Sequence, residues 1–95
     1  MPKAYWVARV DVHDLDGYKR DYVAHNGAVF AKYGARFLVR AGTFETAEGT
    51  SRSRNVVIEF PSLQAAVDCY NSPEYQAAKA KREGRTPCYL IFRRV

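Results

Sequence analysis

Apolar and polar positions follow two different periods along this chain, and the points where the period changes divide it into elements. From Tyr5 to Val12 (Tyr-Trp-Val-Ala-Arg-Val-Asp-Val) β-branched and aromatic residues dominate, the composition of a strand. Leu15, Tyr18, Tyr22, Val29, Phe30 and Tyr33 then recur at helical spacing and predict one long amphipathic helix. Asp14 is its expected N-cap, Asp16 places negative charge in the first turn, and Gly34 is its expected stop. Arg36–Ala41 predicts a second strand, with room to run on to Glu45. The polar stretch Ala47–Ser53 around Gly49 predicts a hairpin loop, and Arg54–Phe60 a third strand ended by Pro61. Ser62 caps a second helix through Tyr70, with Leu63, Ala66, Val67 and Tyr70 on one face. Ser72, Pro73 and Glu74 restart it as cap, first helical position and first-turn acid. This segment is expected to run to about Arg82 and to stop at Gly84, before a fourth strand over Cys88–Arg94.

The order βαββαβ, in a chain of 95 residues, predicts one domain over residues 1–95. Right-handed crossovers turn that order into a ferredoxin-like α+β arrangement, a four-stranded antiparallel sheet with both helices on one face. Strict alternation along the strands then assigns side chains to the two faces. Trp6, Ala8 and Val10, with Phe37, Val39, Ala41, Val56, Ile58 and Phe60, are expected beneath the helices. Tyr5, Val7, Arg9 and Asp11 fall on the other face, as do Arg36, Leu38 and Arg40, Val57 and Glu59, and Tyr89 and Ile91.

That second face mixes large apolar groups with Arg9, Arg40 and Glu59, three charges set inside apolar runs. A charge held in a sheet without a partner costs several kcal/mol. The face therefore calls for a cover, and a second copy of the same sheet is the simplest one. Arg9, Arg40 and Glu59 read in two ways, as a site for a carboxylate or other anion or as an ion-pair network that closes a dimer.

Charge adds less than its total suggests. The net charge is +5, yet residues 1–75 carry nine basic and nine acidic side chains. The whole excess lies in residues 76–95, and Lys79, Lys81, Arg82 and Arg85 crowd the end of a predicted helix, where cations complement the helix dipole. No continuous basic stripe interleaved with aromatics argues for nucleic acid, which is not expected as a partner. No apolar run approaches the length of a membrane span, and no secretory signal is visible, so a cytoplasmic location is expected. Cys69 and Cys88 read as two reduced thiols, and with two scattered histidines they do not make a metal site.

Candidate chemistry is sparse. His25 lies on the amphipathic helix about one turn from Tyr22 and Val29, and is the weak candidate for a general base; His13 is expected at an exposed turn. Tyr5, Tyr70, Tyr75 and Tyr89 have apolar bodies and polar tips suited to a pocket wall, with Tyr5 and Tyr70 taken as ligand-binding candidates. Trp6 reads as core and Arg54 as a salt bridge at the rim. No nucleophile–base–orienter set and no phosphate-cradling glycine loop can be found.

Several of these stretches together resemble a known family. Arg54-Asn-Val-Val-Ile-Glu-Phe-Pro-Ser62, Tyr70-Asn-Ser-Pro-Glu-Tyr75, Tyr33-Gly34, Arg36-Phe-Leu-Val-Arg40 and Glu48-Gly49 are similar to domain-of-unknown-function family 1330, over nearly the whole chain. Ala35 and Ala41 depart from it, since that family usually shows glycine there. The resemblance implies membership of the dimeric α+β barrel superfamily, in which two ferredoxin-like protomers face sheet to sheet, with a cavity between each sheet and its helices or loops. It implies no reaction and no cofactor. Two functional expectations follow: a cofactor-independent enzyme of oxygenase or isomerase type acting on a small anionic or aromatic molecule, or a non-catalytic ligand-binding or dimerisation module.

Overall fold

The strand signals become β1 (Ala4–Val10), β2 (Arg36–Arg40), β3 (Arg54–Phe60) and β4 (Cys88–Arg94). In the computed structural model, which describes residues 2–13, 15–81 and 87–95 apart from the side chains at 21, 24 and 25, they form one antiparallel sheet. The strand order is β2-β3-β1-β4, the ferredoxin-like arrangement. Both central strands are longer than β2, which ends at Arg40 and does not continue toward Glu45. β1 likewise stops at Val10 rather than Val12. There Ser53 Oγ accepts a 2.9 Å hydrogen bond from the Val12 N–H and donates to the Val10 carbonyl, turning the chain out of the ladder.

The long first helix forms in three pieces: α1 (Leu15–Tyr18), a π-helical turn over Lys19–Val23, and α2 (Ala24–Lys32). The expected cap Asp14 lies outside the described residues. At the other end Gly34 adopts φ +75°, and the N–H groups of Tyr33, Gly34 and Ala35 return to the carbonyls of Phe30 and Ala31, closing the helix. A β-carbon on Gly34 would meet the Pro61 ring at an ordinary contact distance of 3.4 Å, so it is the left-handed backbone that favours glycine here.

The second helical region is α3 (Leu63–Asn71) and α4 (Pro73–Ala80), capped as its sequence predicts. Ser62 Oγ accepts from the Ala65 N–H at 3.1 Å, and Ser72 Oγ accepts from the Tyr75 N–H at 3.1 Å. Ser72 also donates to the Cys69 carbonyl at 2.7 Å, so one buried hydroxyl ends α3 and starts α4. The expected stop at Gly84 and the basic residues Arg82 and Arg85 lie outside the described residues. No helix among the described residues is long and apolar enough to cross a membrane.

Trp6 is the centre of the core. Phe30, Tyr75, Phe92, Phe60 and Tyr70 surround its ring at centroid distances of 5.1 to 5.9 Å, mostly edge to face. Such pairs add about 0.5–1.5 kcal/mol each beyond the area they bury. These side chains come from both helical regions and from the sheet, so one tryptophan locks the two layers together.

Candidate functional site

Between the helices and the end of the sheet opposite Phe60, the packing opens into a cavity of about 130 Å³. Its floor is the helix-facing side of β1 and β3: Trp6, Ala8 and Val10, with Val56 and Ile58. Its roof is the first helical region, where Tyr18 and Tyr22 precede Asn26, Gly27 and Phe30; Tyr75 of α4 closes one side. The π-helical turn sits between Tyr18 and Asn26, a rare widening of the helix that often accompanies functional sites.

Most of this lining is apolar or aromatic, and its polar groups are few. The hydroxyls of Tyr22 and Tyr75 lie 2.6 Å apart, buried, and share a hydrogen bond. Asn26 is only 7% exposed, and its side-chain amide has no hydrogen-bond partner among the described residues. Buried amides are nearly always paired, because an unmet one costs about 1–3 kcal/mol. Two cations complete the wall, Arg40 and Arg54.

Arg40 is not where alternation places it. β2 pairs Phe37 with Ile58 and then Val39 with Val57, so Leu38 is an extra residue, a β-bulge. The bulge shifts the phase of the strand by one: Arg40 stands opposite Val56 on the helix-facing side, while Val39 moves to the open face, 43% exposed. The Arg40 guanidinium lies 4.1 Å over the Phe37 ring. Ala41 follows at φ +61°, in the left-handed region, ending the strand.

The three-charge cluster expected from the sequence is therefore not one cluster. Glu59 stays on the open face, where Lys3 Nζ donates to it at 2.9 Å and the Tyr5 hydroxyl reaches it at 3.4 Å. Arg9 is exposed, and its Nη2 donates at 3.4 Å to the Thr50 carbonyl. Arg40 touches neither. Tyr70 is half-buried in the aromatic core beside Trp6 and Phe92, outside the cavity lining. Arg54 was expected at a rim salt bridge; no ion pair holds it among the described residues, and its guanidinium lies 5.5 Å over the Tyr18 ring at the cavity. The side chain of His25 lies outside the described residues, and His13 is exposed as expected.

Asn26 was not legible as a site residue, although its dipeptide gave a signal. Asn26-Gly27 puts two poor helix formers side by side in a helix interior, a choice that local propensity does not favour. A β-carbon on Gly27 would meet nothing within 4 Å. Its smallness is thus not required by packing and leaves the cavity open.

Titratable groups outside the cavity have structural surroundings. Burial pushes the Cys69 thiol up to about 12, so it stays protonated and inert. The hydrogen bond from Lys3, opposed by burial and helped by Arg36, holds Glu59 below the usual glutamate range. Lys32 does the same for Glu74 through a 2.7 Å contact that ties α2 to α4. Among the described residues no group of three or more His, Cys, Asp or Glu could hold a metal ion.

A family model described as Domain of unknown function (DUF1330) matches residues 3–93. No functionally curated protein matches the sequence. Among solved structures, a protein of unknown function from Rhodopseudomonas palustris superposes with a TM-score of 0.73 at 19% identity, over 96% of this chain and 80% of that one. A dimeric protein of unknown function and ferredoxin-like fold from Bacteroides fragilis gives 0.61 at 13% identity, over 98% and 96%. An EthD-family protein from Bacillus halodurans gives 0.58 at 10% identity, over 97% and 96%. These likenesses carry the fold.

Proposed function

The chain belongs to the DUF1330 family, and we propose that it binds a small, largely planar molecule in the cavity between its helices and its sheet. The observation that carries this reading is the buried Asn26 amide, which faces an aromatic space and lacks a partner among the described residues. A protein interior without a binding role would place an apolar side chain there at no loss. Pockets of this kind, apolar with a few placed polar groups, are the usual form of small-molecule sites. The reading moves the ligand from the open sheet face, where Arg9, Glu59 and Tyr5 lie, to the opposite one. Two cysteines outside any disulfide, one of them buried, suit a reducing compartment such as the cytoplasm.

Trp6 is the chain's one tryptophan and lies in the cavity wall, so its fluorescence reports occupancy directly. Titration with small aromatic compounds should change that signal saturably. Gly27→Phe, whose β-carbon would meet nothing within 4 Å at the cavity edge, should block entry and abolish the change while leaving the urea midpoint within about 1 kcal/mol of wild type. Undiminished binding by this variant would place the site elsewhere.

In the same reading the chain is a homodimer joined sheet to sheet. One cross-strand row of the open face is wholly apolar: Ile91, Val7, Val57 and Val39, one residue from each strand. Ile91 is 59% exposed there, and Tyr89 and Leu38 are also exposed. A contiguous apolar band on a sheet without helices is the kind of surface that a partner covers. The adjoining row runs Arg93, Tyr5, Glu59 and Arg36, a polar border able to set register. Val57→Glu should convert the dimer to a folded monomer in sedimentation. A wild-type mass of one chain at micromolar concentration would sink the dimer.

A further inference from the structure

Resting on the cavity as the binding site, we infer that its ligand is a single-ring planar carboxylate that carries a second oxygen substituent. Size sets the first limit. An apolar cavity of about 150 Å³ takes up benzene, and this one is about 130 Å³. One six-membered ring fills it, and fused rings do not fit. The walls agree, because Trp6, Phe30, Phe37 and Tyr18 offer faces and edges to a flat ring.

Charge sets the second limit. Arg40 and Arg54 line the cavity, and among the described residues no Asp or Glu lines it. Neither guanidinium makes an ion pair or hydrogen bond among the described residues. Arg40 pairs with Val56, two positions from Arg54 on the neighbouring strand, so the two arginines are diagonal neighbours on one face. Such positions lie roughly 7–8 Å apart, close enough for two forks to meet one carboxylate. Each is steadied by an aromatic ring, Phe37 or Tyr18, which leaves its N–H groups unspent. Two like charges at one mouth are unfavourable alone and favourable around an anion.

Asn26 supplies the third feature. Its amide both donates and accepts, so it matches a hydroxyl or carbonyl on the ring rather than a second carboxylate. The β-bulge at Leu38 and the left-handed Ala41 flank Arg40 on either side. They are the local distortions that turn a residue of the open face into one wall of this site.

The test titrates the full chain with benzoate, benzamide, 3- and 4-hydroxybenzoate and 6-hydroxy-2-naphthoate, following Trp6 fluorescence and confirming by calorimetry. Benzoate should bind at least about tenfold tighter than benzamide, the scale of one charge-assisted contact. Arg40→Gln and Arg54→Gln should each erase that preference, weakening benzoate by more than they weaken benzamide. One of the hydroxybenzoates should gain about fivefold over benzoate, the scale of one neutral hydrogen bond, and lose this gain in Asn26→Leu. Should Asn26→Leu fold poorly, Asn26→Ala makes the same comparison. The naphthoate should bind at least about tenfold more weakly than benzoate, because overpacking is unfavourable.

Equal affinity for benzoate and benzamide overturns the carboxylate assignment while leaving the cavity as the site. Naphthoate binding as tightly as benzoate overturns the single ring. A hydroxyl gain that persists in Asn26→Leu, or no gain from either hydroxyl, overturns the second oxygen. Failure of every probe, benzamide included, takes down the cavity reading as well.

Discussion

Ala41 holds φ +61° without the freedom that glycine has there. Left-handed backbone costs a residue with a β-carbon roughly 1–2 kcal/mol, offset in part by the greater entropy glycine loses on folding. Ala41→Gly should therefore raise stability by up to about 1 kcal/mol, read as a higher urea midpoint at unchanged slope. A lower midpoint would show that the strain is absent. Individual residues were legible where their role is local. Ser62 and Ser72 cap helices because a hydroxyl just before a helix finds its partners within three residues, and Gly34 stops one because of its own backbone. Asn26 was not legible, since its meaning depends on side chains contributed by β1, β2, β3 and α4.

At the scale of the element, β2 is the instructive case. Its composition identified it as a strand, and its faces were then inferred from a period of two. One extra residue at Leu38 breaks that period, and Arg40 exchanges sides. No residue in Arg36-Phe-Leu-Val-Arg40 marks a bulge, because bulges are set by the pairing partner as much as by the bulged strand. Deleting Leu38 should remove the bulge and leave Phe37, Val39 and Arg40 paired one to one with Ile58, Val57 and Val56, so that Arg40 keeps its place on the cavity side. The expected outcome is a folded protein, by circular dichroism, that keeps its ligand-induced change in Trp6 fluorescence. Loss of that change in a folded variant would show that the bulge itself, and not the register of Arg40 alone, shapes the cavity. The first helix repeats the lesson: helical spacing located it, and the π-helical turn that interrupts it between Tyr18 and Ala24 left no sign in that spacing.

At the scale of the molecule, the sheet separates two roles. Its covered side holds the cavity with Arg40, Arg54 and Asn26, and its open side holds the apolar row and the Lys3–Glu59–Tyr5 contacts. Glu59 gives that open side a pH dependence of definite sign. Its folded pKa lies below the ordinary value, so its contribution is present above about pH 4.3 and is lost as pH falls through the lowered folded value. Comparing wild type with Glu59→Gln, the difference in urea midpoint should be constant near neutrality and shrink below about pH 4. A difference that grows on acidification would reverse the assigned sign. Lys3 and Glu59 meet at a partly exposed edge, so the effect belongs at the small end for ion pairs.

By itself the sequence determined the order of elements, their caps, the ferredoxin-like topology and the family. All of these rest on periodicity, on hydrogen bonds closed within a few residues, or on motifs contiguous in the chain. Only the tertiary structure decided which face each of these charges occupies and where the cavity lies. A register shift of one residue inverts a strand, and a cavity exists only where separate elements leave space between them.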